Sequence, residues 1–258
     1  MPVVVQRGRT RGWVALARGL WAAAEVAVTL GAVVLLLVVH QLWWTNREAR
    51  EGAERQVRAL EREWEGDEAA PEGSDAPAAP DASEGEAREE GGGGTGRRAP
   101  AARQTAPRWD QAYAVLRIPK LGVVAPVAQG IAKRGVLDKG YVGHYPRTAQ
   151  PGQAGNFAVA GHRNTHGEPF RYINRLRSGD KVVIETRDAV FTYQVDKRLP
   201  QTSARDGGVI ASVPRSVVKP GYGYSEPGYY VTLTTCTPEY TSKYRLVVWG
   251  KLASMRPR

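Results

Sequence analysis

The sequence predicts an all-β domain, a barrel or a sandwich, over residues 109–258. Short runs rich in Val, Ile, Tyr and Thr recur there: YAVLRI, VVAPVA, NFAVAG, KVVIET, VFTYQV, YYVTLTT and YRLVVWG. Turn-forming stretches (PKLG, PGQAG, RSGD, TRDA) bound many of them. Only two segments in this part read as helical, roughly 132–141 and 169–175. A stretch of this length supports one hydrophobic core, burying about 70% of its unfolded surface.

The elements ahead of this domain differ in kind. Residues 1–19 form a basic flank, expected on the cytoplasmic side, with Arg7, Arg9, Arg11 and Arg18. Residues 20–44 are apolar apart from Glu25, Thr29, His40 and Gln41, and about 20 such residues cross a bilayer as a helix. Trp21, Trp43 and Trp44 fall where interfacial aromatics belong. The following HQLWWTN offers no small-x-small cleavage site, which favours an uncleaved single-pass anchor over a removed signal peptide. Arg47, Arg50, Arg55 and Arg58 balance the first flank by Lys/Arg count, so orientation rests on the free amine before the span and the acidic residues after it. That reading puts the C-terminal domain outside the cell. Residues 45–108 are expected to be an acidic, Gly- and Pro-rich tether, largely disordered, with helix-forming composition over 45–65.

Charge follows these divisions. The chain's net +10 is the sum of +3 over residues 1–46, −9 over 47–90 and +16 over 91–258. The basic domain suits a polyanion partner, but its cations are scattered and no nucleic-acid motif accompanies them, so no nucleic-acid partner is expected. A single cysteine excludes an internal disulfide framework and any zinc site built from two or four cysteines. No cofactor is expected.

The residues able to carry chemistry lie at strand ends. Cys236 follows YYVTLTT and precedes Thr237-Pro238, where a strand ladder stops, which places the thiol at a rim. A nucleophilic thiol needs a nearby base or a lowered pKa. The candidates are His144, His162 and His166. His162 and His166 are four residues apart, but flanking glycines argue against a helix there and the glutamate of a zinc-protease motif is absent, so no metal site is expected. Arg245 opens the last apolar strand nine residues after Cys236, and a strand–turn–strand path returns it beside the thiol, where a guanidinium would stabilise an oxyanion.

Together TLTTC, an Arg nine residues on and a Gly-His at a strand end 74 residues upstream resemble the sortase family. The resemblance covers about residues 110–254, and GHYP, PGQAGNFAVAGHR, TCTPEY and YRLVVWG are most similar to class E sortases of high-GC Gram-positive bacteria, with class D the nearest competitor. It implies a closed β-barrel of about eight strands with one or two short helices. It implies a membrane-anchored cysteine transpeptidase that cleaves a Leu-Ala/Pro-x-Thr-Gly sorting signal between Thr and Gly. Secreted proteins bearing the signal would be the substrates, and a lipid-linked peptidoglycan precursor amine the acceptor. Cys236 would be the nucleophile, His162 the acid and base, and Arg245 the holder of substrate and oxyanion. Tyr145 would read the second signal position, and Thr235 would line the oxyanion site through its hydroxyl or backbone. The segment 198–228 would roof the substrate groove. A non-catalytic surface barrel binding wall polyanions is the competing class, and the Cys–His–Arg set separates the two.

Overall fold

The computed structural model describes residues 10–68 and 107–258. Eight strands close into a barrel: β1 (Ala112–Ile118), β2 (Val123–Gln129), β3 (Val142–His144), β4 (Gly155–Ala160), β5 (Lys181–Glu185), β6 (Ala189–Ser203), β7 (Tyr229–Thr237) and β8 (Tyr244–Pro257). Their order around the barrel is β1-β2-β3-β4-β7-β8-β6-β5, with β5 closing onto β1. The β2–β3 and β4–β7 pairs are parallel, and the other neighbours are antiparallel. Closure removes the exposed edges that an open sheet of such apolar strands would leave.

Alternation along each strand divides the side chains between two faces. Leu116 and Ile118, Phe157 and Val159, Val231 and Leu233, and Leu246 and Val248 point inward and share one core with Ile184 and Tyr193. The outer faces of β7 and β8 are not bare. Leu199, Tyr230, Val247 and Trp249 form a second apolar layer there with Val209 and Tyr224 of the β6–β7 connection.

The expected helical pieces are shorter than the sequence suggests. Residues 132–141 contain only a 3-10 turn, Leu137–Lys139, and residues 169–175 only Ile173–Arg175. Left-handed Gly140 ends the first of these. A Cβ at Gly140 would also meet the Ala49 carbonyl at 2.8 Å, so this turn packs too closely against the N-terminal helix for any larger residue.

That helix, α1, runs unbroken over Thr10–Glu68, and its residues 16–66 are long and apolar enough in part to cross a membrane. The helix-forming composition over 45–65 thus lies within α1, which runs on past residue 44 to Glu68; residues 69–106 of the expected tether lie outside the described residues, as do residues 1–9 of the flank. The reason is a stripe at helical spacing, Ala49, Ala53, Val57, Leu60 and Trp64, all buried. Val57, Leu60 and Trp64 pack on Ala112, Val115, Ala128 and Val136 on the outside of β1, β2 and the loop beyond. Each large side chain removed from water in this way contributes about 1.5–3 kcal/mol. Arg117 of β1 bridges Glu61 of the helix and Glu185 of β5, and the Arg258 guanidinium lies 4.6 Å from the Trp64 ring centre.

Candidate active site

Strand register assembles the site. Cys236 on β7 lies directly opposite Arg245 on β8. On the other side of β7, the parallel pairing with β4 ends at Ala160 opposite Thr234, so the chain two residues further on brings His162 level with Cys236. Thr234, Cys236, Arg245, Ala160 and His162 all have the parity of the outer face, since Leu233, Leu246 and Val159 between them point into the core. The thiol is thus flanked by an imidazole and a guanidinium carried by its two neighbouring strands. Cys236 is partly exposed and free.

Each flank is fixed by identifiable bonds. His162 donates from Nε2 to Asp138 Oδ1 at 2.8 Å, in the tautomer that leaves the Nδ1 lone pair free. Asp138 comes from the 3-10 turn between β2 and β3. The ring of His166 stacks on that of His162 at 5.3 Å, and its Nδ1 lies 3.6 Å from the same carboxylate oxygen. Burial lowers the pKa of His166 from the ordinary histidine value, partly opposed by the Asp138 charge. Arg245 donates Nη1 to the carbonyls of Ser242 and Tyr244 in the β7–β8 turn, at 2.9 and 3.0 Å, which holds its guanidinium at the rim.

Two further residues are not legible in the sequence. Asp138 precedes His162 by 24 positions in a stretch without motif, so only the fold joins them. Arg163, beside His162 and 7% exposed, donates Nη1 to the Cys236 carbonyl at 3.2 Å and to Thr237 Oγ1 at 2.9 Å. It clamps the end of β7 at the nucleophile. The one sequence signal for it is the charge next to a candidate histidine at a strand end.

The other expected residues separate. His144 is fully buried on β3 and receives or gives bonds to Tyr113, Gln129, Thr148 and the Ala149 carbonyl. Burial pushes its pKa down to about 4, which keeps it a neutral interior group away from the thiol. Tyr145 follows β3, and its hydroxyl lies 3.0 Å from Thr234 Oγ1, two residues before Cys236 on the same face. Thr235 points the other way, into the barrel, and its hydroxyl donates to the Gly161 carbonyl at 2.8 Å. The hydroxyl half of its expected role is corrected accordingly: that group ties β7 to the His162 strand, and only the backbone of Thr235 can face substrate.

The segment expected to roof the groove begins later than 198, because β6 continues to Ser203. Residues 204–228 then cross the outer face of β7 and β8. Buried Asp206 organises them by accepting from Thr202 Oγ1 and Ser216 Oγ, both at 2.5 Å, and from the Val217 amide. Thr232 and the Trp249 indole both donate to the Val209 carbonyl. Of the tyrosines here, Tyr224 stacks on Tyr230 at 4.3 Å and caps the sheet, while Tyr222 and Tyr229 are exposed.

A closed mixed barrel with a free cysteine and an arginine paired on β7 and β8, and a histidine just past the end of neighbouring β4, holds the residue types that cysteine acyl transfer needs. The sortase domain model matches residues 116–253, and the chain belongs to the sortase family. It is 43% identical over 242 residues to sortase SrtE1 of Streptomyces coelicolor, covering 92% of this chain and 58% of that protein. It is 31% identical to sortase SrtE2 of the same organism, covering 95% of this chain and 87% of that one. The crystal structure of S. coelicolor sortase E1 with a tripeptide in the active site superposes with a TM-score of 0.55 at 53% identity, over 59% of this chain and 94% of that one. Sortase E of Streptomyces avermitilis superposes with a TM-score of 0.51 at 42% identity, over 58% and 93%. These relatives are class E sortases.

Proposed function

We propose that this chain is a membrane-anchored cysteine transpeptidase that cleaves a Leu-Ala/Pro-x-Thr-Gly sorting signal between Thr and Gly. The acyl group then passes to a lipid-linked cell-wall precursor amine, on the outer side of the membrane. The observation that supports this reading best is the pairing of Cys236 with Arg245 across β7 and β8, with His162 just past the end of neighbouring β4. The tripeptide in the S. coelicolor enzyme's active site supports a peptide groove in the same place.

Cys236 Sγ attacks the threonine carbonyl carbon, and its proton passes to His162 Nδ1. Arg245 donates to the oxyanion of the tetrahedral intermediate or to the backbone beside it. Collapse of the intermediate breaks the Thr–Gly bond, with His162 returning the proton to the leaving glycine amine, and leaves a thioester on Cys236. The acceptor amine reverses the sequence: His162 takes its proton as it attacks the thioester. Asp138 holds the His162 ring in one tautomer throughout, and Arg163 holds the strand end that carries the thiol. Tyr145, beside Thr234, is the residue proposed to contact the second signal position.

The test uses the full chain in detergent with a Leu-Ala-x-Thr-Gly peptide and a glycine-type amine. A mass increment on Cys236 matching the acyl fragment, and its absence in Cys236→Ala, is the expected result. No adduct and no cleavage across signal variants would leave a non-catalytic wall-binding barrel as the reading.

A further inference from the structure

The sequence offers no third ligand for the pair His162 and His166; the fold supplies one in Asp138. The three side chains present ligand atoms that all lie within 4.8 Å of one another. Asp138 Oδ1 is 2.8 Å from His162 Nε2 and 3.6 Å from His166 Nδ1. A tetrahedral zinc ion bonded at about 2.0–2.1 Å separates its ligand atoms by about 3.3 Å. These two edges bracket that value, so small side-chain rotations admit an ion.

One observation at this place points to a ligand independently of the spacing. His166 Nδ1 is buried and has no hydrogen-bond partner. The His166 ring stays 27% exposed, but this nitrogen is shielded from water, and a shielded nitrogen without a partner is costly; the backbone there is left-handed, with φ of 53°. This nitrogen lies 3.6 Å from the carboxylate oxygen that His162 already uses. An electrophile between the three would satisfy both.

We propose that Asp138, His162 and His166 form a binding site for a divalent transition-metal ion of the zinc class, and that its occupation and the transpeptidation reaction exclude each other. Two imidazoles and one carboxylate select zinc, copper or nickel over calcium and magnesium, which take oxygen ligands. Lys133, whose charge reaches His166, further disfavours ions held by charge alone. Three protein ligands leave a fourth position for water. With its Nε2 on the metal, His162 keeps its hydrogen on Nδ1 and cannot accept the Cys236 proton. The exclusion rests on the role of His162 proposed above, whereas the binding does not.

The test titrates cobalt(II) and then zinc into the metal-stripped full chain in detergent. One saturable site per chain is expected, with tetrahedral cobalt absorption that zinc displaces, and the same in Cys236→Ala. In His166→Asn, a side chain that tolerates the left-handed backbone, affinity should fall at least about 100-fold. Asp138→Asn provides a second variant with the same expected loss. In peptide cleavage, zinc should inhibit the wild type in step with occupancy, while His166→Asn, compared with its own metal-free rate, resists the same zinc concentration. Absence of saturable binding, equal binding by His166→Asn and Asp138→Asn, or binding that vanishes in Cys236→Ala would overturn the site. Binding as expected in a chain with no transpeptidase activity would uphold the site and overturn the function proposed for it.

Discussion

At Arg245 the structure makes a residue-level claim that activity measurements can resolve. Its guanidinium is held by the Ser242 and Tyr244 carbonyls opposite Cys236, positioned before substrate arrives. Arg245→Ala should lower kcat by about 10²–10³-fold, the usual loss for one oxyanion donor. Arg245→Lys should recover only part of it, because an ammonium cannot span two carbonyls and an oxyanion in one plane. Steady-state kinetics with a fluorogenic signal peptide would measure both. His144 carries a second claim. In the folded chain its pKa is about 4, against 6.5 when exposed, so between these values only the unfolded chain takes up the proton. Stability from this group is complete above pH 6.5 and is lost as pH falls toward 4, by roughly 3 kcal/mol in all. Thermal unfolding of the wild type should show that decline, and His144→Gln should lack most of it. The proposed nucleophile, base and arginine could be picked out because each ends or opens an apolar run, where the strand pattern itself marks the rim. Asp138 and Arg163 were not, since their roles come from pairings across 24 and 73 positions that no local pattern encodes.

Among the elements, strands were easier to read than helices. Runs such as NFAVAG and YRLVVWG alternate and are bounded by turn residues, so their type follows from local chemistry. β3 was missed because three residues, VGH, are too short to carry a pattern. The second half of α1 was read as helix-forming, but its docking on the barrel was not legible. Its buried stripe is thin and spaced by charged residues, so composition suggested a solvated segment while the spacing Ala49, Ala53, Val57, Leu60, Trp64 described a docked face. Trp64→Ala should detach this face without unfolding the barrel. Hydrogen exchange of amides 49–64 is expected to accelerate by about 10²-fold or more, the equivalent of about 3 kcal/mol lost with a large buried side chain. Amides of β7 and β8 should keep their protection.

Taken whole, the molecule is less loosely jointed than its charge segments suggested. The helix meets the barrel at the loop that carries His162 and His166. Asn46 donates to buried Glu168 at 2.8 Å and accepts from the Gly167 amide, Arg50 donates to the Gly167 carbonyl and to Glu168, and Arg171 completes the pairing at 2.6 Å. Inserting Gly-Pro between Trp44 and Thr45 would uncouple the anchor from this junction. Cleavage of a soluble peptide should change less than about twofold, since the barrel core is untouched, while conjugation of a membrane-displayed substrate in proteoliposomes should slow several-fold. Asn46 stands only two residues beyond Trp44, about 3 Å of helix rise. With the membrane anchor proposed above, a barrel fastened there would be held against the lipid headgroups with its groove at a constant height. Encounters with the bilayer-embedded substrates proposed above would then become a search within a plane, where local concentration, more than intrinsic affinity, sets the rate.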